Sequence, residues 1–191
     1  MSGRDAGARR PPLPLLLALA VLVQAARAAA QASSEAESPA NVPVSVRGAD
    51  SVTANTVQEA VRLASRWLAE AECQQVFFEF TDKAGRKLSD NLRIAEQTGS
   101  QYLRWLIFWD GKHEPACAWG DAFATTQPGS RVVRLCPVFK KLQSDPAHAA
   151  AIVIHEELHS LGLGENPPTS LEITARVVAR CHDGAASAGL R

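Results

Sequence analysis

Residues 155–159 read His-Glu-Glu-Leu-His, an H-E-x-x-H pattern of two histidines separated by one helical turn. Residues four apart lie on one face of an α-helix, so His155 and His159 can reach one metal ion. Glu156 projects beside that pair, where it can take a proton from a metal-activated water and later return it. These residue types at this spacing predict a Zn²⁺ site with Glu156 as general base and acid.

The residues around the motif predict the helix that such a site needs. Asp145 supplies an N-cap, and Pro146 occupies the first helical position. Residues 147–154 are almost all helix formers and apolar, as expected of a helix buried beneath a sheet. Gly162 offers a stop just past the motif. The alternative is a core helix with two hydrogen-bonded histidines. Within the motif, Glu157 is expected at the surface.

A catalytic zinc ion takes three protein ligands and leaves one position to water, so a third ligand is required. Glu165 lies six residues after the second histidine, on a loop flanked by glycine. Glu172 lies seven residues further, in the first turn of a helix predicted over residues 170–181, and resembles the ligand of gluzincins. We favour Glu172, because a helix after the stiff turn at residues 166–168 holds a ligand rigidly; Glu165 is the alternative. Residues 169–172 also read as a T-x-x-E capping box, which would explain that glutamate without a metal.

The beginning of the chain has the features of an export signal. Arginines precede an apolar run over residues 13–23, and residues 26–28 read Ala-Arg-Ala, a small-x-small cleavage site. We therefore predict a signal peptide over residues 1–28 and a secreted or periplasmic protein, with a retained N-terminal anchor as the alternative. No later segment approaches the ~20 apolar residues of a membrane span.

Four cysteines follow the signal, an even number in a compartment where disulfides persist. They are spaced too widely for a zinc knuckle. Of the three pairings we favour Cys117 with Cys136, joining neighbouring strands, and Cys73 with Cys181, joining the ends of the first and last helices. Each bond would contribute about 2–5 kcal/mol. Free buried thiols are the alternative.

The remaining sequence predicts an α+β domain over residues 55–191, preceded by a flexible leader, rich in Ala, Ser, Glu and Pro, over residues 29–54. A small antiparallel or mixed sheet should pack behind the motif helix, with a further helix at the C-terminal end. The predicted elements are a helix from a capping box at Thr56 to about Cys73, a strand over 75–80, a helix over 89–97, an apolar run over 102–109 and a strand over 131–136.

A resemblance covers about the last 65 residues. Residues 127–130 read Gln-Pro-Gly-Ser and residues 135–139 read Leu-Cys-Pro-Val-Phe before the motif at residue 155. This layout resembles zincin metallopeptidases, and among them the deuterolysin-like aspzincins, which carry a comparable strand ending in Cys-Pro. The Gly-Thr-x-Asp of that branch is absent after the motif, so the resemblance implies a zincin-like fold, Zn²⁺ and a peptide or protein substrate.

The leading hypothesis is an exported zinc metallopeptidase that hydrolyses peptide bonds. The alternatives are a non-catalytic exported binding or cell-envelope module with a structural or lost metal site, and an amidase of peptidoglycan stem peptides. The chain carries 20 Lys and Arg against 20 Asp and Glu without a basic stripe, which argues against a nucleic-acid partner. By residue type alone, the candidates to stabilise an oxyanion are His113, Tyr102 and Arg176. The sequence leaves the oligomeric state open.

Overall fold

The structure is a computed structural model that describes residues 44–118 and 120–182 of the chain. The signal peptide predicted over residues 1–28, and residues 29–43 of the predicted leader, lie outside the described residues. The remaining residues of that leader, 44–54, contain strand Ser45–Arg47 and the start of the helix that begins at Ser51. No helix in the described part is both long and apolar enough to cross a membrane. The described elements are strands Ser45–Arg47 (β1), Ile107–Asp110 (β2), Ala124–Thr126 (β3) and Val132–Leu135 (β4), and helices Ser51–Trp67 (α1), Ala71–Gln74 (α2), Val76–Glu79 (α3), Leu88–Ile94 (α4), Gly99–Leu103 (α5), Pro146–Ser160 (α6) and Ser170–Val177 (α7).

The four strands form one mixed sheet in the order β1-β2-β4-β3. The first three are parallel, with Trp109 of β2 aligned with Arg47 of β1 and Arg134 of β4. The edge strand β3 runs antiparallel to β4. Parallel neighbours need a long crossover, and helices α1 to α5 supply it between β1 and β2. The mixed alternative for the sheet is therefore confirmed, and the antiparallel one is wrong.

Helix α1 begins earlier than the sequence pattern indicates. Its N-cap is Asp50, whose carboxylate accepts a hydrogen bond from the backbone N of Thr53 at 2.9 Å. Thr56, the predicted cap, lies inside the helix, where its hydroxyl donates to the carbonyl of Val52. An aspartate cap six residues upstream satisfies the first amides, so the later capping box does not mark the helix start.

Residues 75–80 form a helical turn and not the predicted strand. The segment is rich in residues that favour strands, but α3 spans Val76–Glu79. Val76 and Phe77 are buried in the core, at 0% and 2% exposure. Periodicity cannot assign so short an apolar run, and tertiary packing decides its conformation. The weaker helix predicted over residues 89–97 is confirmed as α4.

Helix α6 carries the motif, and most of its residues are buried. Its start is as predicted, with Pro146 at the first position and the Asp145 carboxylate accepting a hydrogen bond from the backbone N of His148 at 3.1 Å. It packs against α1, β3 and α7. Both histidines and both glutamates of the motif are consequently at most 5% exposed.

Both predicted cysteine pairs lie at disulfide-bond distance. Cys73–Cys181 joins α2 to the turn after α7, next to ion pairs that Arg180 makes with Glu72 and Glu79. Cys117–Cys136 joins a 3₁₀ turn to the end of β4, and so does not connect two strands as expected. The first bond holds the C-terminal helix against the remainder of the described domain.

The two disulfides are expected to differ in their contribution to stability. Cys73–Cys181 closes a sequence separation of 108 residues, against 19 for Cys117–Cys136. Because loop-closure entropy grows with loop length, replacing the first pair by serine should lower the free energy of unfolding by about 4–5 kcal/mol, and replacing the second by about 3 kcal/mol. Urea unfolding of the two double variants measures this difference. A larger loss for the shorter loop would contradict the prediction.

Candidate metal centre

Three side chains converge where the sequence predicts a metal site: His155, His159 and Glu165. The two histidine Nε2 atoms are 2.9 Å apart. Glu165 Oε1 lies 3.2 Å from Nε2 of His159 and 3.7 Å from Nε2 of His155. Ligand atoms held tetrahedrally at zinc bond lengths of ~2.0–2.1 Å lie roughly 3.3 Å apart. The three donor atoms therefore form a triangle of the size that a zinc ion requires.

Hydrogen bonds on the far side of each imidazole fix the direction of its Nε2. The Nδ1–H of His159 donates to the carbonyl of Leu163 at 2.9 Å, and Nδ1 of His155 lies 2.9 Å from the hydroxyl of Thr174. A carbonyl can only accept, so Nδ1 of His159 carries a proton, and a neutral ring then presents a lone pair at Nε2. Such outer contacts orient metal-binding histidines.

The chemistry of the three donor atoms also fits a cation. The Nε2 atom of His159 lies 2.9 Å from that of His155 and 3.2 Å from Oε1 of Glu165, and one hydrogen atom on this nitrogen cannot serve both contacts. Burial, followed by the charge of His159, lowers the pKa of His155 to about 3. His155 is therefore neutral at neutral pH, which is the form that binds zinc.

The end of α6 is held by contacts from two other segments. The carbonyl of His159 accepts hydrogen bonds from the backbone N of Gly129, at 2.9 Å, and of Gly162, at 2.8 Å. Gly129 has φ of +84° and belongs to the turn before β4, so a left-handed residue brings that turn to the motif. The hydroxyl of Tyr102 lies 3.1 Å from that of Ser160. The second histidine is thus positioned by the sheet and by α5.

Glu156 lies beside the cluster and lines the same cleft, which has a volume of about 910 Å³. Its Oε2 and the Thr126 hydroxyl are both buried, and neither makes a hydrogen bond of regular geometry among the described residues. Burial raises the pKa of Glu156 to about 8; the Thr126 side chain opposes this rise, and the charge of Glu165 adds to it. A pKa near neutrality suits a group that takes up a proton and returns it.

The second glutamate of the motif has a different environment. Glu157 is fully buried, and neither carboxyl oxygen has a hydrogen-bond partner among the described residues. Burial raises its pKa well above the ordinary value, which favours the neutral form of this carboxyl. The expectation of an exposed Glu157 is wrong, because α6 is covered on every side at that turn.

The fold brings Glu165, and not Glu172, to the histidines. Glu172 is exposed, and its carboxylate accepts hydrogen bonds from the backbone N and the hydroxyl of Thr169, both at 2.8 Å. It thus completes the capping box at the start of α7, and these bonds lower its pKa. The geometry favours the alternative third ligand over the preferred one. The loop after α6 turns back over the histidines because Nδ1 of His159 binds the Leu163 carbonyl.

Other residues predicted to serve the site lie elsewhere. Tyr102 contacts Ser160, and Arg176 donates to Glu79 at 3.0 Å; neither lines the cleft, and nor does His113. His148 does line the cleft, with its ring 5.1 Å from that of Phe123. Sequence reasoning missed the residues that contact the site from other elements, because no motif marks them: Thr126 on β3, Thr174 on α7, the Leu163 carbonyl and Lys83.

The described residues thus form an α+β domain with a cleft. At its floor, two imidazoles and a carboxylate converge beside a buried glutamate. No protein-family model, no curated protein and no solved structure matches this chain.

Proposed function

We propose that this protein is an exported, zinc-dependent hydrolase of peptide bonds. The observation that supports this most strongly is the triangle of His155, His159 and Glu165 donor atoms, with edges of 2.9, 3.2 and 3.7 Å. Two imidazoles and one carboxylate are the ligand set of His₂Glu catalytic zinc sites. The two disulfides are compatible with an extracellular protein.

The residues of the cleft have distinct roles in this proposal. A zinc ion held by the three ligands would supply a Lewis acid that polarises the substrate carbonyl and lowers the pKa of a water molecule. Glu156 takes the proton from that water and delivers it to the leaving amine. The buried wall around Glu156 raises the pKa of this carboxyl and the Thr126 side chain opposes that rise, so that the pKa lies close to neutrality.

The number of converging protein ligands supports a hydrolase over a structural metal site. Structural zinc sites close with four protein ligands, whereas catalytic sites keep one position for water. A metal ion bound by the two histidines and by both Glu165 and Glu172 would have four protein ligands and no position for water. Glu172 is held by its own capping box, so three protein ligands remain, and the cleft opens beside them.

The two glutamates provide a direct test of the ligand set. Glu165→Ala is expected to weaken zinc binding more than about 100-fold, since changes outside the ligand shell already cost about 10–100-fold. Glu172→Ala should retain zinc, because the carboxylate of Glu172 is engaged in hydrogen bonds with Thr169. Competition with a chromophoric chelator measures both affinities. Retained zinc in Glu165→Ala, or loss of zinc in Glu172→Ala, would contradict the assignment.

Hydrolysis itself is tested with a randomised peptide pool and the zinc-loaded, oxidised chain. New peptide termini that form only with zinc, and not with the Glu156→Gln variant, are the expected result. A pool left intact by the zinc-loaded chain would favour the non-catalytic binding module.

A further inference from the structure

A turn far from the motif in sequence is fixed against the loop that carries Glu165. One carboxylate oxygen of Asp82 accepts hydrogen bonds from the backbone N of Ala84 and of Arg86, both at 2.9 Å. The other accepts from the Asn91 side-chain amide at 3.0 Å. The same amide nitrogen donates to the carbonyl of Leu161 at 2.9 Å, directly after α6. The turn over residues 82–86 is therefore attached to the end of the motif helix.

Two glycines after the motif allow this turn to approach closely. Gly162 has φ of +108°, and a Cβ there would lie 3.0 Å from the Cβ of Asp82. At Gly164 a Cβ would lie 3.1 Å from Cε and 3.4 Å from Cγ of Lys83. The aliphatic stem of Lys83 consequently lies across the backbone next to Glu165. Gly162 therefore packs against Asp82, and Gly164 packs against Lys83, the next residue of the turn.

This packing brings Lys83 to the wall of the cleft. Lys83 and Glu165 line both the cleft and a neighbouring cavity of about 450 Å³. Among the described residues that line the cleft, Lys83 is the one lysine or arginine. Its ammonium makes no ion pair within the described part of the chain, although the carboxylates of Asp121, Glu156 and Glu165 line the same cleft. A turn held by several hydrogen bonds thus presents a cation that forms no ion pair with another described side chain.

We propose that Lys83 binds a carboxylate of the substrate, and so determines specificity for peptides that carry one near the bond to be cleaved. This inference rests on the proposed function of the cleft. An ammonium on a flexible stem can pair with a carboxylate from either of two sources, an acidic side chain or a free chain terminus. Apart from its histidines, the other ionisable side chains of the described cleft lining are the carboxylates of Asp121, Glu156 and Glu165, so the ammonium of Lys83 gives an acidic ligand a favourable charge contact.

The test is peptide binding, because binding can be measured without turnover. The zinc-loaded, oxidised Glu156→Gln chain is immobilised and exposed to N-acetylated randomised octapeptides, and bound peptides are quantified by mass spectrometry. One pool contains Asp and Glu and ends in an amide; another lacks them and ends in a free carboxylate; a third lacks both carboxylates. Preference for the first pool identifies a side chain as the source, and preference for the second identifies the terminus.

The decisive comparison adds Lys83→Met, which keeps the stem over Gly164 and removes the charge. Enrichment of a carboxylate pool over the neutral pool by about fivefold is expected with Lys83, and none with Lys83→Met, as for a single exposed ion pair. Lys87→Met is the matched control, since Lys87 belongs to the same segment but does not line the cleft. It should retain the enrichment, and zinc affinity should be equal in all three proteins.

The outcomes separate this inference from the proposed function. Equal enrichment with Lys83 and with Lys83→Met, or no enrichment at all, overturns the role of Lys83. Carboxylate enrichment that depends on Lys83 supports it even if the chain with Glu156 cleaves none of the pools. In that case the hydrolase proposal fails, and the cleft is a site that binds carboxylate-bearing peptides without hydrolysing them. Cleavage without a Lys83-dependent preference leaves the hydrolase in place and removes the inference.

Discussion

Glu156→Gln is expected to lower the rate of peptide hydrolysis by about 10³-fold while zinc stays bound, because an amide cannot take up and return a proton. The substitution preserves the shape of the side chain at the cleft floor. Glu156 is not one of the three converging ligands, so the metal affinity should change little. Initial rates on the peptide cleaved best, together with zinc content, measure the two effects separately.

The adjacent glutamate is a matched control for this experiment. Glu157→Gln changes the same atoms one residue along the same helix, but Glu157 is buried away from the cleft and does not line it. The Glu157→Gln chain should hydrolyse peptides at a rate within about tenfold of the parent chain, a far smaller loss than general-base removal causes. Full activity in Glu156→Gln, or an equal loss in both variants, would refute Glu156 as the proton carrier.

His155→Ala is expected to abolish zinc binding and, with it, the stabilisation that zinc gives the folded chain. A ligand present at about 1,000 times its Kd stabilises the native state by about 4 kcal/mol. Zinc should therefore raise the thermal midpoint of the parent chain by several degrees and leave that of His155→Ala unchanged. Calorimetric unfolding with zinc, and again with a chelator, measures this difference.

Thr174→Val separates the loss of a ligand from the loss of its orientation. This variant keeps both imidazoles but removes the hydroxyl 2.9 Å from Nδ1 of His155. A reduction of zinc affinity of about 10–100-fold is expected, between the parent chain and His155→Ala. For the comparison with His155→Ala, a zinc-induced rise in the thermal midpoint that is equal in the parent chain and in that variant would show that zinc binds elsewhere.

Local signals were sufficient to predict the helix that carries the motif. Asp145 and Pro146 begin α6 as the capping rules require, and the two histidines fall on one face because their spacing matches the helical period. For this helix a few neighbouring residues contain the information. The two cysteine pairs were also predicted, although Cys117 lies in a 3₁₀ turn and not in the strand from which its pairing was inferred.

The sequence predictions were wrong where contacts between segments distant in sequence determine the local structure. Residues 76–79 are helical because Val76 and Phe77 pack into the core, which outweighs a strand preference. The six-residue spacing after His159 offered Glu165 as the alternative ligand, but the sequence does not show the loop reversal, held by the Leu163 carbonyl, that brings Glu165 to the histidines. Glu172 matched a ligand position and a capping box equally well in sequence, and only the fold shows that the capping box forms.

Lys83 illustrates the same limit within the cleft. The turn that carries it lies about 70 residues before the motif, and its approach depends on Gly162 and Gly164, the first of which the sequence suggested only as a helix stop. Glycine is favoured both where two backbone segments approach closely and where a helix ends. The two roles cannot be distinguished without the three-dimensional contact.

The measurement that tests the central claim most directly is the metal content of the purified, oxidised chain, determined by elemental mass spectrometry. His155→Ala, prepared in parallel, serves as the blank. The three-ligand cluster predicts about one zinc ion per parent chain and almost none in the variant. A parent chain that holds no zinc, even after zinc is supplied at neutral pH, would contradict the metal centre and the hydrolase proposed on it.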